Sequence, residues 1–126
     1  MNHDFRIMRP DRGNWCVSEL DYGLHIVNGM TRVLSQKLDA QTYVKAFYAH
    51  KFTPQECLKH KIVDKLSQSN ETLLKEAIEF AREISPKGAP RKAYGAIKRV
   101  MYEDAIEQNY FKSARGYNWN IQKPKL

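Results

Sequence analysis

The sequence His3-Asp4-Phe5-Arg6-Ile7-Met8-Arg9-Pro10-Asp11-Arg12-Gly13 decides the fold class of this chain. Polar and apolar residues alternate through residues 4–8, which predicts a short strand. Proline and glycine then predict a turn before a second short strand at residues 15–17. A third strand is predicted at residues 62–66.

Helical patterns fill most of the remaining chain. Apolar spacing predicts one helix after Met30 and another after Asp39. Thr53-Pro54-Gln55-Glu56 predicts a helix that starts with a capping box and ends near His60. Two longer helices follow: one is capped by Asn70 and extends to Ile84, and the other continues to Ile106. Helices therefore outnumber strands.

Composition excludes several protein classes. The chain has 126 residues, of which 42% are hydrophobic and 28% charged, as in one globular domain. No apolar run approaches the ~20 residues of a membrane helix, and the N-terminus does not resemble a secretory signal. Cys16 and Cys57 lack metal-ligand spacing and the histidines are scattered, so we expect no metal site and an intracellular protein that is not secreted.

Charge is unevenly distributed along the chain. The net charge is +7, and residues 85–126 carry 9 Lys and Arg against 3 Asp and Glu. This excess is typical of a solvated basic helix and tail, or of a surface that meets an anionic partner. No helix-turn-helix, zinc-finger or RNA-binding signature accompanies it, so nucleic acid is not an expected partner.

Three segments together resemble the crotonase superfamily, that is, the enoyl-CoA hydratase/isomerase family. The first joins residues 3–13 to Ser18-Glu19-Leu20-Asp21-Tyr22-Gly23-Leu24 and resembles the Δ3-Δ2 enoyl-CoA isomerase branch. The second covers residues 52–64, and the third is Ala93-Tyr94-Gly95-Ala96-Ile97-Lys98. Their order and spacing match the C-terminal half of a family member over roughly residues 2–110.

The resemblance implies a helix-rich α/β fold, the C-terminal part of a crotonase-like ββα spiral with its trailing helices. The earlier turns of the spiral are expected to be missing from this chain. Residues 1–113 are assigned to a partial crotonase-like domain, with the last core turns at 1–66 and C-terminal helices at 67–113. Residues 114–126 are assigned to a basic tail.

The resemblance also implies a catalytic role for Glu19 as the carboxylate that moves a proton between two carbons of an enoyl-CoA. From the residues alone, a surface position in a loop is the favoured interpretation of Glu19. Asp21 is interpreted as a structural hydrogen-bonding group. In the family, the N–H donors of the oxyanion hole lie upstream of the matched region. Because losing one such donor slows a reaction by ~10²–10³, we expect the isolated chain to be inactive.

The basic helix offers candidate ligands for the phosphates of coenzyme A, which is expected as a thioester substrate and not as a bound cofactor. The candidates are Arg91, Lys92, Lys98 and Arg99. The alternative is a solubilising helix face.

Individual residues carry further expectations. Lys61 stands where the family has glycine, so a left-handed backbone there would cost about 1 kcal/mol. Cys57 is expected to be a buried thiol without an activating partner. Trp15, Tyr94 and Tyr102 occupy core-like positions in the pattern.

The first functional hypothesis is an enoyl-CoA isomerase-like protein of fatty acid metabolism. The alternatives are a non-catalytic assembly subunit built from a crotonase fold, and an enoyl-CoA hydratase. We expect a homo-oligomer of the trimer type, or association with a complementing chain or larger assembly. Pro124-Lys125-Leu126 resembles a peroxisomal address and predicts a peroxisomal location, with mitochondria as the alternative.

Overall fold

A computed structural model describes residues 3–107. It contains a two-stranded parallel sheet in which β1 (Ile7–Met8) pairs with β2 (Lys65–Leu66). Both strands lie inside the predicted segments but are shorter than expected. Flanking backbone hydrogen bonds, from Asp64 N–H to the Arg6 carbonyl and from Ser67 N–H to the Met8 carbonyl, extend the pairing at 2.9 Å each.

The predicted second strand at residues 15–17 is wrong. Trp15 forms only an isolated antiparallel bridge to Phe52, with reciprocal backbone hydrogen bonds of 3.0 and 2.9 Å. Their rings pack with centroids 5.6 Å apart. Pro54 begins a helix two residues after Phe52, so the pairing stops at one residue.

Two helices follow the loop after Gly23. Helix α1 covers Asn28–Lys37 and α2 covers Ala40–Phe47. Asp39 caps α2 by accepting hydrogen bonds from the N–H groups of Gln41 and Thr42 at 3.0 Å each. The predicted helix start after Asp39 is therefore confirmed.

Helix α3 (Pro54–Lys59) forms as its sequence predicts. The Thr53 hydroxyl accepts the Glu56 N–H, and the Glu56 carboxylate accepts the Thr53 N–H, which completes the capping box. The helix ends at His60, and Lys61 takes a left-handed conformation with φ 54°. The expected strain at Lys61 is present, because a side chain at this φ crowds the backbone.

The core lies between α1, α2, α3 and the loop that carries the isolated bridge. Its fully or nearly fully buried apolar side chains come from all these segments: Val17, Leu34, Leu38, Ala46, Phe52, Cys57, Ile62 and Val63. Trp15 packs against this cluster and is half-buried, in agreement with its predicted core position.

Helix α4 covers Leu73–Ile84 and begins two residues later than a cap at Asn70 predicts. Thr72 occupies the cap position instead of Asn70, and the Thr72 hydroxyl donates to the carboxylate of Glu76 at 2.6 Å. Glu76 also accepts the Gln68 N–H at 2.9 Å. This network ties the loop to the first turn and shifts the helix start beyond Asn70.

The single predicted helix continuing to Ile106 is two helices. Helix α5 covers Arg91–Met101 and α6 covers Glu103–Glu107, with the break at Tyr102. Tyr102 is half-buried, but the predicted core position of Tyr94 is wrong, because its side chain is 40% exposed. Ala105 of α6 is buried where α6 packs on α1.

Residues 3–107 contain no helix long and apolar enough to cross a bilayer. The predicted tail at 114–126, with Pro124, Lys125 and Leu126, lies outside the described residues.

Candidate active site

Glu19 begins a 3₁₀ turn, Glu19–Tyr22, directly after the buried Val17. Gly23 closes the turn with φ 63°, and its N–H donates to the Leu20 carbonyl at 3.1 Å. The N–H of Leu24 donates to the Glu19 carbonyl at 2.8 Å. Because glycine adopts this left-handed conformation without strain, the turn holds the Glu19 backbone in a defined position.

The Glu19 side chain is half-buried and forms no ion pair or hydrogen bond with any described residue. A carboxylate without a fixed partner keeps both oxygens available to accept a proton, as a general base must.

Apolar side chains lie uncovered in the segment that follows Glu19. Leu20, Tyr22 and Leu24 are 58%, 74% and 60% exposed, and Val27 and Met30 are also exposed. Several exposed apolar side chains along one segment are typical of a place where a ligand or another polypeptide segment packs. Glu19 therefore borders a surface suited to an apolar substrate chain or to further elements of a larger fold.

The predicted phosphate ligand Lys98 forms an ion pair with Asp4. Its Nζ lies 2.7 Å from one Asp4 oxygen, while Lys37 Nζ lies 3.2 Å from the other. The Tyr102 hydroxyl also donates to Asp4. Burial alone would raise the pKa of the Asp4 carboxyl, but hydrogen bonds from Lys98, Tyr102 and Lys37 outweigh burial and lower that pKa to about 2.

The pKa of Tyr102 shifts in the opposite direction from that of Asp4. Burial of its hydroxyl and the hydrogen bond to the Asp4 carboxylate raise the Tyr102 pKa to about 12. The tyrosine thus remains a neutral donor at physiological pH. Asp4 thereby joins the segment before β1 to α1, α5 and the α5–α6 junction.

The other basic candidates remain on the solvent side of α5. Arg91 and Lys92 lie exposed in its first turn. Arg99 borders a pocket together with the carboxylates of Glu103 and Glu107, which would oppose a phosphate. Arg91 and Lys92 are thus candidates to contact phosphates on the solvent-exposed face of α5.

The role of Asp4 was not predicted from the sequence, in which it belongs only to a predicted strand. A second group that was not predicted is a polar cluster in which the buried Thr42 hydroxyl lies 2.6 Å from Asp39 and 2.9 Å from His60 Nδ1. No local signal could have revealed the pairs of Asp4 or the contact between Thr42 and His60, because these partners are distant in sequence. Among residues 3–107, no group of three His, Cys, Asp or Glu side chains could hold a metal ion.

Cys57 is a buried thiol, as predicted. Its side chain is fully enclosed, and burial raises its pKa, which disfavours the reactive thiolate.

The chain is similar in sequence and in structure to enzymes that act on enoyl-CoA. No model of a protein family matches the sequence. The chain is 28% identical over 108 residues to a peroxisomal enoyl-CoA delta isomerase from Arabidopsis thaliana, covering 84% of this chain and 45% of the relative. An enoyl-CoA hydratase from Mycobacterium marinum matches with a TM-score of 0.70 and 26% identity over 83% of this chain and 45% of that one.

An apo enoyl-CoA isomerase from Mycobacterium tuberculosis matches with a TM-score of 0.71 and 24% identity, covering the same shares of the two chains. The chain thus spans about half the length of the proteins it matches. The predicted resemblance and the predicted fold class are confirmed.

Proposed function

We propose that this chain, which resembles the C-terminal half of a crotonase-superfamily protein in sequence and fold, contributes Glu19 as the proton-transferring carboxylate of an enoyl-CoA isomerase-type site. The half-buried Glu19, held on a closed 3₁₀ turn beside uncovered apolar side chains, is the observation that carries the proposal.

In this mechanism Glu19 removes a proton from one carbon of the acyl chain and returns it to another, which shifts the double bond. The intermediate is a thioester enolate, and its oxygen needs preorganised N–H donors. The family places those donors before the matched region. The site is therefore complete only when the preceding turns of the spiral are present. Residues 1–126 alone do not isomerise an enoyl-CoA.

Coenzyme A would be held as part of the substrate. Arg91 and Lys92 would bind its phosphates. Arg99 is a weaker candidate because Glu103 and Glu107 lie beside it. Lys98 would contribute indirectly, because its ion pair with Asp4 holds α5 in place. The peroxisomal relative supports the same location for this protein and a place in fatty acid oxidation. A trimer-type homo-oligomer is part of the proposal.

The test is a chimera that joins the N-terminal part of the Arabidopsis isomerase to residues 1–126. We expect the chimera to isomerise a 3-enoyl-CoA, Glu19→Gln to lose at least a hundredfold in kcat, and Asp21→Asn to stay within a few-fold. Asp21 is the matched control because it lies in the same turn. Equal activity of the Glu19 variant would overturn the catalytic role, and addition of water to a 2-enoyl-CoA would instead indicate a hydratase.

The exposed apolar side chains after Glu19 also favour the alternative of a non-catalytic assembly subunit. This alternative predicts a folded, inactive chimera and stable association with a larger protein that is insensitive to Glu19→Gln.

A further inference from the structure

A second concave site lies away from the Glu19 turn. A cavity of about 430 Å³ opens between the segment before and in β1, α4 and α5. Its lining includes Phe5, Ile7, Phe80, Ile84, Tyr94 and Lys98. We propose that it binds an aromatic carboxylate, with the ring among Phe5, Phe80 and Tyr94 and the carboxylate at Lys98.

The walls of the cavity suit an aromatic ring. Phe5 and Phe80 meet edge to face with centroids 6.1 Å apart, and Tyr94 lines the cavity from α5. Aromatic rings favour such edge and offset contacts with one another. Ile7 and Ile84 add apolar surface, and the volume falls in the range of about 300–1,000 Å³ typical of small-molecule sites.

The polar end of the cavity carries a net positive charge. Lys98 and Lys37 together place two ammonium groups on the single carboxylate of Asp4. An ammonium group has three N–H donors, and Asp4 is the one hydrogen-bonding partner of Lys98 among the described residues. Lys98 therefore has donors left for an anion.

Lys98, and not Lys37, is the lysine placed to bind the carboxylate of the ligand. Lys98 lines the cavity and its Nζ lies 5.7 Å from the Tyr94 ring centroid, so charge and aromatic surface are adjacent. Lys37 contacts the same carboxylate but is not among the lining residues. The pair thus offers one variant inside the cavity and one matched control outside it.

Isothermal titration of the full chain with 2-naphthoate tests the charge. We expect binding by the wild type and a loss of about tenfold or more in affinity in Lys98→Met, as for a charge-assisted hydrogen bond. Folded Lys37→Met should lose less affinity, because it lowers the net charge beside the cavity but leaves the Lys98 donors in place. 2-Naphthamide should bind about tenfold more weakly than 2-naphthoate. Equal binding of the acid and the amide, or by wild type and Lys98→Met, would overturn the proposal.

A second pair of variants tests the location. Ala81→Trp fills the cavity and should abolish binding, whereas Ala93→Trp adds the same side chain to exposed α5 surface and should not. Amide chemical-shift changes should concentrate on the lining residues. Undetectable binding by the wild type, or binding that survives in folded Ala81→Trp, would refute the site. Glu19→Gln should bind 2-naphthoate normally, which separates this test from that of the proposed isomerase.

Discussion

The Asp4 carboxylate and the Lys98 ammonium form an ion pair at 2.7 Å that joins the segment before β1 to helix α5. Helix α5 has no buried residue of its own, and Ile97, Val100 and Met101 stay more than half exposed. Apolar burial therefore contributes little to its position. Asp4, which also accepts from Lys37 and Tyr102, is a main attachment of this helix to the rest of the fold.

Asp4→Asn should destabilise the chain. The variant keeps the size of the side chain but removes the charge that two ammonium groups share, and hydrogen bonds to charged groups contribute about 1.5–3 kcal/mol each. We expect the free energy of unfolding to fall by about 2 kcal/mol, measured by urea denaturation. The control is Asp104→Asn, whose ion pair with Arg32 is half exposed and should contribute little. Equal stability of Asp4→Asn and wild type would show that α5 is held by other contacts.

The contribution of Asp4 should depend on pH. Its pKa is about 2 in the folded chain, below its value in the unfolded chain, so the folded state favours the ionised form. The stabilisation is complete above the unfolded pKa of about 3.9 and is lost as the pH falls towards 2. The stability difference between wild type and Asp4→Asn should stay constant from pH 7 to 5 and shrink between pH 4 and 2. A difference that persists unchanged at pH 2 would contradict this account.

Lys61→Gly should stabilise the protein. Lys61 has φ 54°, where glycine is free of the crowding that a β-carbon causes, so we expect a gain of about 1 kcal/mol. Lys59→Gly, at the last residue of α3, should instead destabilise the chain because glycine disfavours a helix. Thermal and urea unfolding of both variants would check this. A loss of stability in Lys61→Gly would mean that contacts of the Lys61 side chain outweigh the strain.

Cys57 should resist thiol reagents in the folded chain. Its side chain is fully buried and its pKa is raised by burial, so labelling requires unfolding. In a Cys16→Ser background, the labelling rate should follow the unfolded fraction as urea increases. Rapid labelling in the absence of urea would show that the core around Cys57 opens locally.

Local sequence determined the parts of the fold whose interactions span a few residues. The capping box of Thr53 and Glu56 and the helix start after Asp39 were predicted, because each depends on neighbours along the chain. For Lys61 the resemblance gave only the cost of a left-handed backbone, and the structure shows that conformation. The family resemblance was equally visible, since its motifs are short and their order is preserved.

Only the tertiary structure decided which distant groups meet. It reduced the predicted strand at Trp15 to one bridge with Phe52, moved the start of α4 beyond Asn70 and exposed Tyr94. It also paired Lys98 with Asp4, which no periodicity could reveal. Hydrogen bonds and ion pairs between remote segments depend on how the helices pack, and packing is a property of the whole chain and not of any local window.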